Sequence, residues 1–361
     1  MPDKKNRAAT ISDVARKAGV SPMTVSRVIN GEPSVRPATR ALVEAAVAAL
    51  DYAPNSAARA LAGAKPIRIG LLYSNPSAAY LSEFLVGGLD YASRGTVELV
   101  VEKCDAGVRE CEATARLIKA RVDGVVLPPP LCDSKAVIDT LAEADIPGVA
   151  VASGQPDARV SAVSIDDYRA AFEMTRHILA LGHQRIGFII GNPNQTASER
   201  RLAGYRAALE QAGITPDDAL IVQGMFTYRS GLDAAEQLLG SGAAPSAIFA
   251  SNDDMAAAAV AVAHRCGLDV PSDLTVCGFD DSALATTIWP ELTTIHQPIA
   301  DMSVAAMEVL VSEVRARRAG KPVAPSRQQL DFSMIRRQSD AAPRRRPPAI
   351  GRLDPEVRDA G

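Results

Sequence analysis

Met23 and Arg27 stand four residues apart, so a helix over this segment would carry both on one face, opposite Val25 and Val28. An arginine so placed can fork to O6 and N7 of guanine in a DNA major groove, a contact that discriminates between bases by about 1–3 kcal/mol. Around it Ser21, Thr24, Ser26 and Asn30 carry the small hydroxyl and amide groups that suit phosphate oxygens. Taken singly, Ser21 reads equally well as a helix cap and Arg27 as a solvated side chain. Residues 1–65 hold ten basic and five acidic side chains, a net +5, which leaves −8 for the rest of a chain whose total is −3. A basic head on an acidic body points to a polyanion as the partner of the head alone.

A second group of polar residues sits where apolar runs end. Tyr80 follows IRIGLLY, Arg201 opens a helix after RIGFII, Asn252 and Asp253 follow SAIFAS, and Asp280 follows LTVCGF. Loops at the carboxyl ends of parallel strands line ligand clefts, so these are candidates for holding a small molecule. Each has a plainer role open to it, as a turn residue, a cap or an ion-pair partner.

No constellation for catalysis competes. G-x-G-x-x-G after a strand, the P-loop and G-x-S-x-G are all absent, which argues against an enzyme and against a nucleotide cofactor. The histidines at 177, 183, 264 and 296 are scattered, His183 in LGHQRIGF reads as structural, and no metal site is expected. Adjacent carboxylates such as Asp166-Asp167 and Asp280-Asp281 mean little for acid–base chemistry without geometry. Five cysteines, an odd number without C-x-x-C spacing, read as buried free thiols.

The elements that must position these residues are legible in outline. Thr10 and Asp13 can cap a first helix with Ile11, Val14 and Ala15 inward, and Ala18-Gly19-Val20 supplies a tight stop. Ser21 and Pro22 open a second helix that ends near Asn30-Gly31. A third runs from Pro37 to about Leu50, burying Leu42, Val43, Ala46 and Leu50, with Arg36 where a capping residue would serve better. From Ile67 the pattern changes to apolar strands alternating with amphipathic helices, the signature of βαβ units and parallel sheets. The series occurs twice, over about 67–160 and 161–293, which predicts two similar lobes. QQLDFSM reads as one later strand. With 361 residues, two to three units are expected. No run of eighteen apolar residues occurs and the charged start lacks an apolar segment behind it, so a cytoplasmic location is expected.

The segments ISDVARKAGVSPMTVSRVIN and YAPNSAARALAG resemble the DNA-binding module and hinge of the lactose-repressor/galactose-repressor family. RRLAGY, GMFTYRSG, SNDDMA, GFDD and WPELTTIHQP resemble that family's periplasmic-binding-protein-like core, so the resemblance spans nearly the whole chain. It implies an α/β protein whose all-α helix-turn-helix domain (1–53) and hinge helix with linker (54–65) precede a two-lobed body (66–338). Lobe one would take about 66–160 plus 297–338, lobe two about 161–296, with a disordered tail over 339–361. For the head it implies base contacts from Pro22, Met23 and Arg27 and phosphate contacts from Ser21, Thr24, Ser26 and Asn30. In the hinge, Asn55 opens the helix, Ala58 lies near the minor-groove floor and Leu61 wedges between base steps. That last role suits physics, since an eight-residue helix orders only against a partner and an apolar wedge in the minor groove bends DNA onto more protein.

For the body the resemblance implies effector contacts from Arg201, Phe226, Asn252 and Asp280, with Tyr80 and Trp289 beside them. Ala152 departs from the family pattern, which has an acidic ligand contact at that position. The expected protein is a repressor of carbohydrate-utilisation genes that binds a palindromic operator with a flexible central step as a homodimer, under a small-molecule effector, in the first place a sugar. PRRRPPAIGRLDPEVRDAG has no leucine heptad, so a tetramer is not expected. A secreted solute-binding protein would have no use for residues 10–62.

Overall fold

The computed structural model describes residues 9–29, 35–50, 52, 66–74, 76–95, 97–104, 107, 109–240 and 244–344. They divide into two compact units at Pro66 and Ile67. In the first unit α1 (Ile11–Ala18), α2 (Pro22–Ile29) and α3 (Pro37–Ala49) enclose a core of Val14, Ala15, Val25, Val28, Val43 and Ala46. The Thr10 N–H donates to the Asp13 carboxylate at 3.0 Å and its hydroxyl to the same oxygen at 2.6 Å, which fixes where α1 begins. Gly19, at φ 67°, turns the chain in a left-handed conformation that other residues rarely adopt, so α2 can follow at once. Ser21 Oγ accepts the Thr24 N–H at 3.1 Å and caps α2. Leu42, expected inside, is 59 % exposed, because α3 turns Val43 and Ala46 to the core and residue 42 falls on its outer flank. Asn30, Asn55, Ala58 and Leu61 lie outside the described residues.

The second unit runs in chain order through β1 (Ile67–Tyr73), α4 (Ala78–Arg94), β2 (Val97–Lys103), α5 (Glu110–Lys119), β3 (Gly124–Leu127), α6 (Lys135–Glu143), β4 (Gly148–Val151) and β5 (Ser161–Ser164). It continues with α7 (Asp167–Ala180), β6 (Ile186–Ile190), α8 (Thr196–Gln211), β7 (Ile221–Gln223), α9 (Tyr228–Gly240), β8 (Ala247–Ala250), α10 (Asp253–Arg265), β9 (Thr275–Asp280), α11 (Leu284–Thr287) and β10 (Thr293–His296). Last come α12 (Ile299–Arg318), β11 (Arg327–Gln329) and β12 (Ser333–Ile335). Two six-stranded sheets result, in the orders β11-β5-β4-β3-β1-β2 and β12-β10-β9-β8-β6-β7. All pairings are parallel except β10 with β12, and helices flank both sheets.

The chain passes between the lobes three times, after β5, after β10, and between β11 and β12. Three expectations change here. β5 belongs to the first sheet, so the division falls after Ser164 and not at about 160. QQLDFSM is no single strand; it parts into β11 on the first sheet and the start of β12 on the second, so 333–338 leave lobe one. The expected disordered tail also begins too early, since Ser339 and Asp340 are buried against lobe two. Ser339 Oγ accepts the Thr293 N–H at 2.8 Å, and Asp340 pairs with His177 at 2.9 Å.

Packing inside lobe two fixes α8, the helix that matters most for the cleft. Phe188 of β6 stacks on Tyr205 at 4.7 Å between centroids and meets Phe249 edge-on at 5.3 Å. The Tyr205 hydroxyl donates to the Ile186 carbonyl at 2.7 Å. Any Cβ at Gly204 would overlap the Tyr168 carbonyl oxygen, so glycine lets α7 and α8 approach this closely.

Candidate effector cleft and nucleic-acid interface

On α2 the inward face is taken by Val25 and Val28, which leaves Ser21, Pro22, Met23 and Arg27 exposed and Thr24 and Ser26 half-buried. Met23, at 65 % exposure, is an apolar side chain without a core to join. This outward face, rich in hydroxyls and ending in a guanidinium, has the dimensions and chemistry of a helix that enters a major groove.

Between the lobes a cavity of about 360 Å³, counted to its open mouth, is lined by Ser77, Tyr80, Pro129, Ala152, Gln195, Ala197, Arg201, Phe226, Asn252, Asp280 and Gln297. Five of the six expected effector residues therefore converge: Tyr80 from lobe one, and Arg201, Phe226, Asn252 and Asp280 from lobe two. Trp289 does not join them. Placed just before Pro290 in the turn between α11 and β10, it is 75 % exposed. Missing from the expected set are Ser77 and Gln195, which lie outside the quoted motifs, and Gln297, which stands inside WPELTTIHQP. For Gln297 a signal existed, because it directly follows β10 just as Asp280 ends β9.

Arg201 is the electrostatic centre. Its Nε donates to Asp167 Oδ1 at 2.8 Å and its Nη1 to the Ser251 carbonyl at 2.6 Å, with Asp280 Oδ1 at 3.9 Å. The guanidinium lies over the Phe279 ring, 3.5 Å from its centroid, and 5.7 Å from that of Phe226. Burial pushes the Asp280 carboxyl well above the usual carboxylate range, with Arg201 opposing it and Asp253 and Asp254 adding to it. Burial likewise raises Asp167 against the pull of Arg201. The Tyr80 phenol is also held well above its ordinary value by burial.

Asn252 has its orientation fixed by three bonds. Its Oδ1 accepts the Met255 N–H at 3.0 Å, capping α10, while its Nδ2 donates to the Phe226 carbonyl at 3.2 Å and to Asp254 at 3.3 Å. Gln297 donates to Asp280 at 3.3 Å. Two buried polar atoms of the lining, the Tyr80 hydroxyl and Gln297 Oε1, have no hydrogen-bond partner among the described residues. A buried polar group left in that condition costs about 1–3 kcal/mol, so both are poised to be satisfied by a ligand.

Backbone strain gathers at the same place. Ala152, Phe226 and Asp280 adopt φ of 56°, 59° and 105°, conformations that a side chain disfavours. The Phe226 ring reaches the cavity across Gly191, where any Cβ would overlap it.

The remaining polar candidates are structural. His183 is buried, with Nδ1 against Ser246 at 2.9 Å and Nε2 against the Ala341 carbonyl at 2.8 Å, and burial lowers its pKa. The cysteines are all free. Cys104, Cys132 and Cys277 are buried, but Cys111 on α5 is exposed, contrary to expectation. Among the described residues no group of His, Cys, Asp or Glu could hold a metal ion, and no helix is long and apolar enough to cross a membrane.

Comparison with known proteins agrees with both halves. Residues 10–55 match the family of bacterial regulatory proteins, lacI family, and residues 175–339 match a periplasmic binding protein-like domain. The chain is 32 % identical to catabolite control protein A of Priestia megaterium over 325 residues, 90 % of this chain and 98 % of that one. Among solved structures, the transcriptional regulator CelR–cellobiose complex superposes with a TM-score of 0.70 at 32 % identity, over 92 % of this chain and 99 % of that one. The lac repressor dimer bound to operator and the anti-inducer ONPF gives 0.69 at 30 % identity, over 93 % of this chain and 100 % of that one. The relatives are regulators and not enzymes, and with a helix-turn-helix head on a two-lobed α/β body this chain belongs to the lacI family of DNA-binding transcriptional regulators.

Proposed function

We propose that the chain acts in the cytoplasm as a homodimeric repressor of carbohydrate-utilisation genes, binding a palindromic operator and released or recruited by a sugar held between its lobes. The observation that carries this is the convergence of Tyr80, Arg201, Phe226, Asn252 and Asp280 on one cavity at the three-stranded crossing between lobes. A ligand bridging both lobes favours one lobe arrangement over the other, and only such a difference in affinity can shift operator binding, typically by about 1–3 kcal/mol. The unpartnered Tyr80 hydroxyl and Gln297 Oε1 suit a molecule rich in hydroxyls, and Phe226 suits the apolar face of a sugar ring. CelR in its complex with cellobiose supports that class of ligand.

Domains follow the same proposal: residues 1–53 read DNA, 54–65 form hinge and linker, and the body carries the effector. Within the hinge, Leu61 acts as the wedge between central base steps, beside Ala58 on the groove floor and Asn55 at its start. Gel shifts with Leu61→Ala test this; unchanged affinity and unchanged DNA bending would remove the wedge. For the effector, a thermal-shift screen with sugars and nucleobases should find a stabilising sugar whose effect Arg201→Ala abolishes. A ligand whose binding ignores Arg201, or one that leaves operator affinity unaltered at saturation, contradicts the proposal. Transcript levels after deletion distinguish repressor from activator.

A further inference from the structure

Resting on the cleft as effector site, we infer that it is built to exclude anions, with Asp167 as the specificity-determining residue, so that the effector is an uncharged polyhydroxyl compound and its phosphorylated or carboxylated counterparts are rejected. Among the described residues that line the cleft Arg201 is the one cation. A free buried guanidinium would be a strong site for phosphate or carboxylate. Here Asp167, outside the lining, occupies its Nε at 2.8 Å, while the Ser251 carbonyl takes Nη1. With Asp280 3.9 Å away, two carboxylates and one guanidinium leave a net charge of −1 when all are ionised, and 0 when one carboxyl holds a proton.

The other features that attract anions are filled in the same manner. Helices α4, α8 and α10 all begin at the cleft, and a helix N-terminus with its orphan N–H groups is a ready anion site. At α8 the Thr196 N–H is taken by Asp133 at 2.8 Å. At α4 the Ser77 hydroxyl caps the helix and donates to Asp254 at 2.6 Å, and α10 itself carries Asp253 and Asp254 in its first turn. Every positive end at the cleft thus has a carboxylate of this chain beside it. An entering phosphate would find the neutral Tyr80 hydroxyl but no uncompensated positive charge, and would face Asp280; a neutral polyol instead meets acceptors at Asp280 and Gln297 Oε1.

The test uses inorganic phosphate at constant ionic strength, read by thermal shift and calorimetry on the full chain. Wild type should show no saturable binding. Asp167→Asn keeps the shape and removes the charge, and should gain saturable phosphate binding at least about tenfold stronger than any wild-type response, the scale of one uncovered charge at this distance. Adding Arg201→Ala should abolish the gain. Wild-type phosphate binding that Arg201→Ala removes, or an Asp167→Asn protein that gains nothing, overturns the inference. Should Asp167→Asn lack a cooperative melt, the wild type and Arg201→Ala comparison still decides it. Phosphate binding at Arg201 would sink anion exclusion and leave the cleft as effector site, whereas sugar binding indifferent to Arg201→Ala would sink the cleft itself.

Discussion

Asp133 and Thr196 belong to opposite lobes and are joined by two hydrogen bonds, from the Thr196 N–H at 2.8 Å and from its hydroxyl at 2.9 Å. The same hydroxyl oxygen accepts the N–H groups of Gly154 and Gln155 at 2.8 and 3.0 Å, and Ser153 donates to Asp133 as well. Ala152 and Gln195, the neighbours of this cluster, line the cleft, so the wall of the site and the clasp between lobes are the same stretch of chain.

Thr196→Val keeps the shape and removes the hydroxyl. It should cost about 1–3 kcal/mol in urea unfolding, because Asp133 loses one of its three donors and the Gly154 and Gln155 N–H groups lose their acceptor, and Thr196→Ser should recover most of that. Equal stability of Val and Ser variants would show that the clasp contributes nothing.

Gly154 sits so close to α8 that a Cβ would lie 2.7 Å from the Thr196 carbonyl oxygen. Gly154→Ala should therefore hold the lobes apart, visible as a larger radius of gyration in X-ray scattering and a weaker response to ligand. Scattering identical to wild type would contradict this.

Asp253 accepts bonds from the Ser282 N–H and the Thr294 hydroxyl, yet burial pushes its pKa up from 3.8 to about 7. A carboxyl that binds its proton more tightly folded than unfolded supports the fold below pH 3.8, and that support is lost as pH rises through about 7. Stability should fall across that window, and Asp253→Asn should flatten the slope in pH-dependent denaturation. An unchanged slope would remove Asp253 as its source.

On lobe one, Val86 and Leu89 of α4 are 61 % and 56 % exposed beside the edge strand β2, whose Val101 is 47 % exposed. We propose that these side chains pack against a second copy of the chain in the homodimer proposed above. Leu89→Glu should convert dimer to monomer in analytical ultracentrifugation while leaving the far-ultraviolet circular dichroism unchanged. A variant that remains dimeric would place the interface elsewhere.

What could be read ahead of the structure was local or motif-bound. Thr10 with Asp13, Gly19 and Ser21 declare the helices of the head because each acts within four residues of itself. Asp280 was found because strand ends are visible as the last residues of apolar runs, whereas Arg201 came from the motif RRLAGY and lies inside α8, past its expected place at the helix start. Asp167 was not, since its partner is 34 positions away and nothing in a pair of adjacent aspartates says which one turns inward. Strands β5 and β12 were misassigned for a related reason: with four and three residues they carry no alternation, and sheet membership is decided by where the chain crosses between lobes. Trp289 was placed beside the effector by the family resemblance, and the turn before Pro290 sends it to solvent instead.

The central claim is that α2 reads DNA sequence through Arg27 on its exposed face. It is tested most directly by incubating purified wild type and Arg27→Ala with fragments of the genome that encodes this chain and sequencing what each retains. Wild type should enrich a small set of sites sharing a palindromic motif, and Arg27→Ala should lose that motif while keeping weak, salt-sensitive binding to any DNA. Identical motifs from both proteins, or no motif from wild type, would contradict the account.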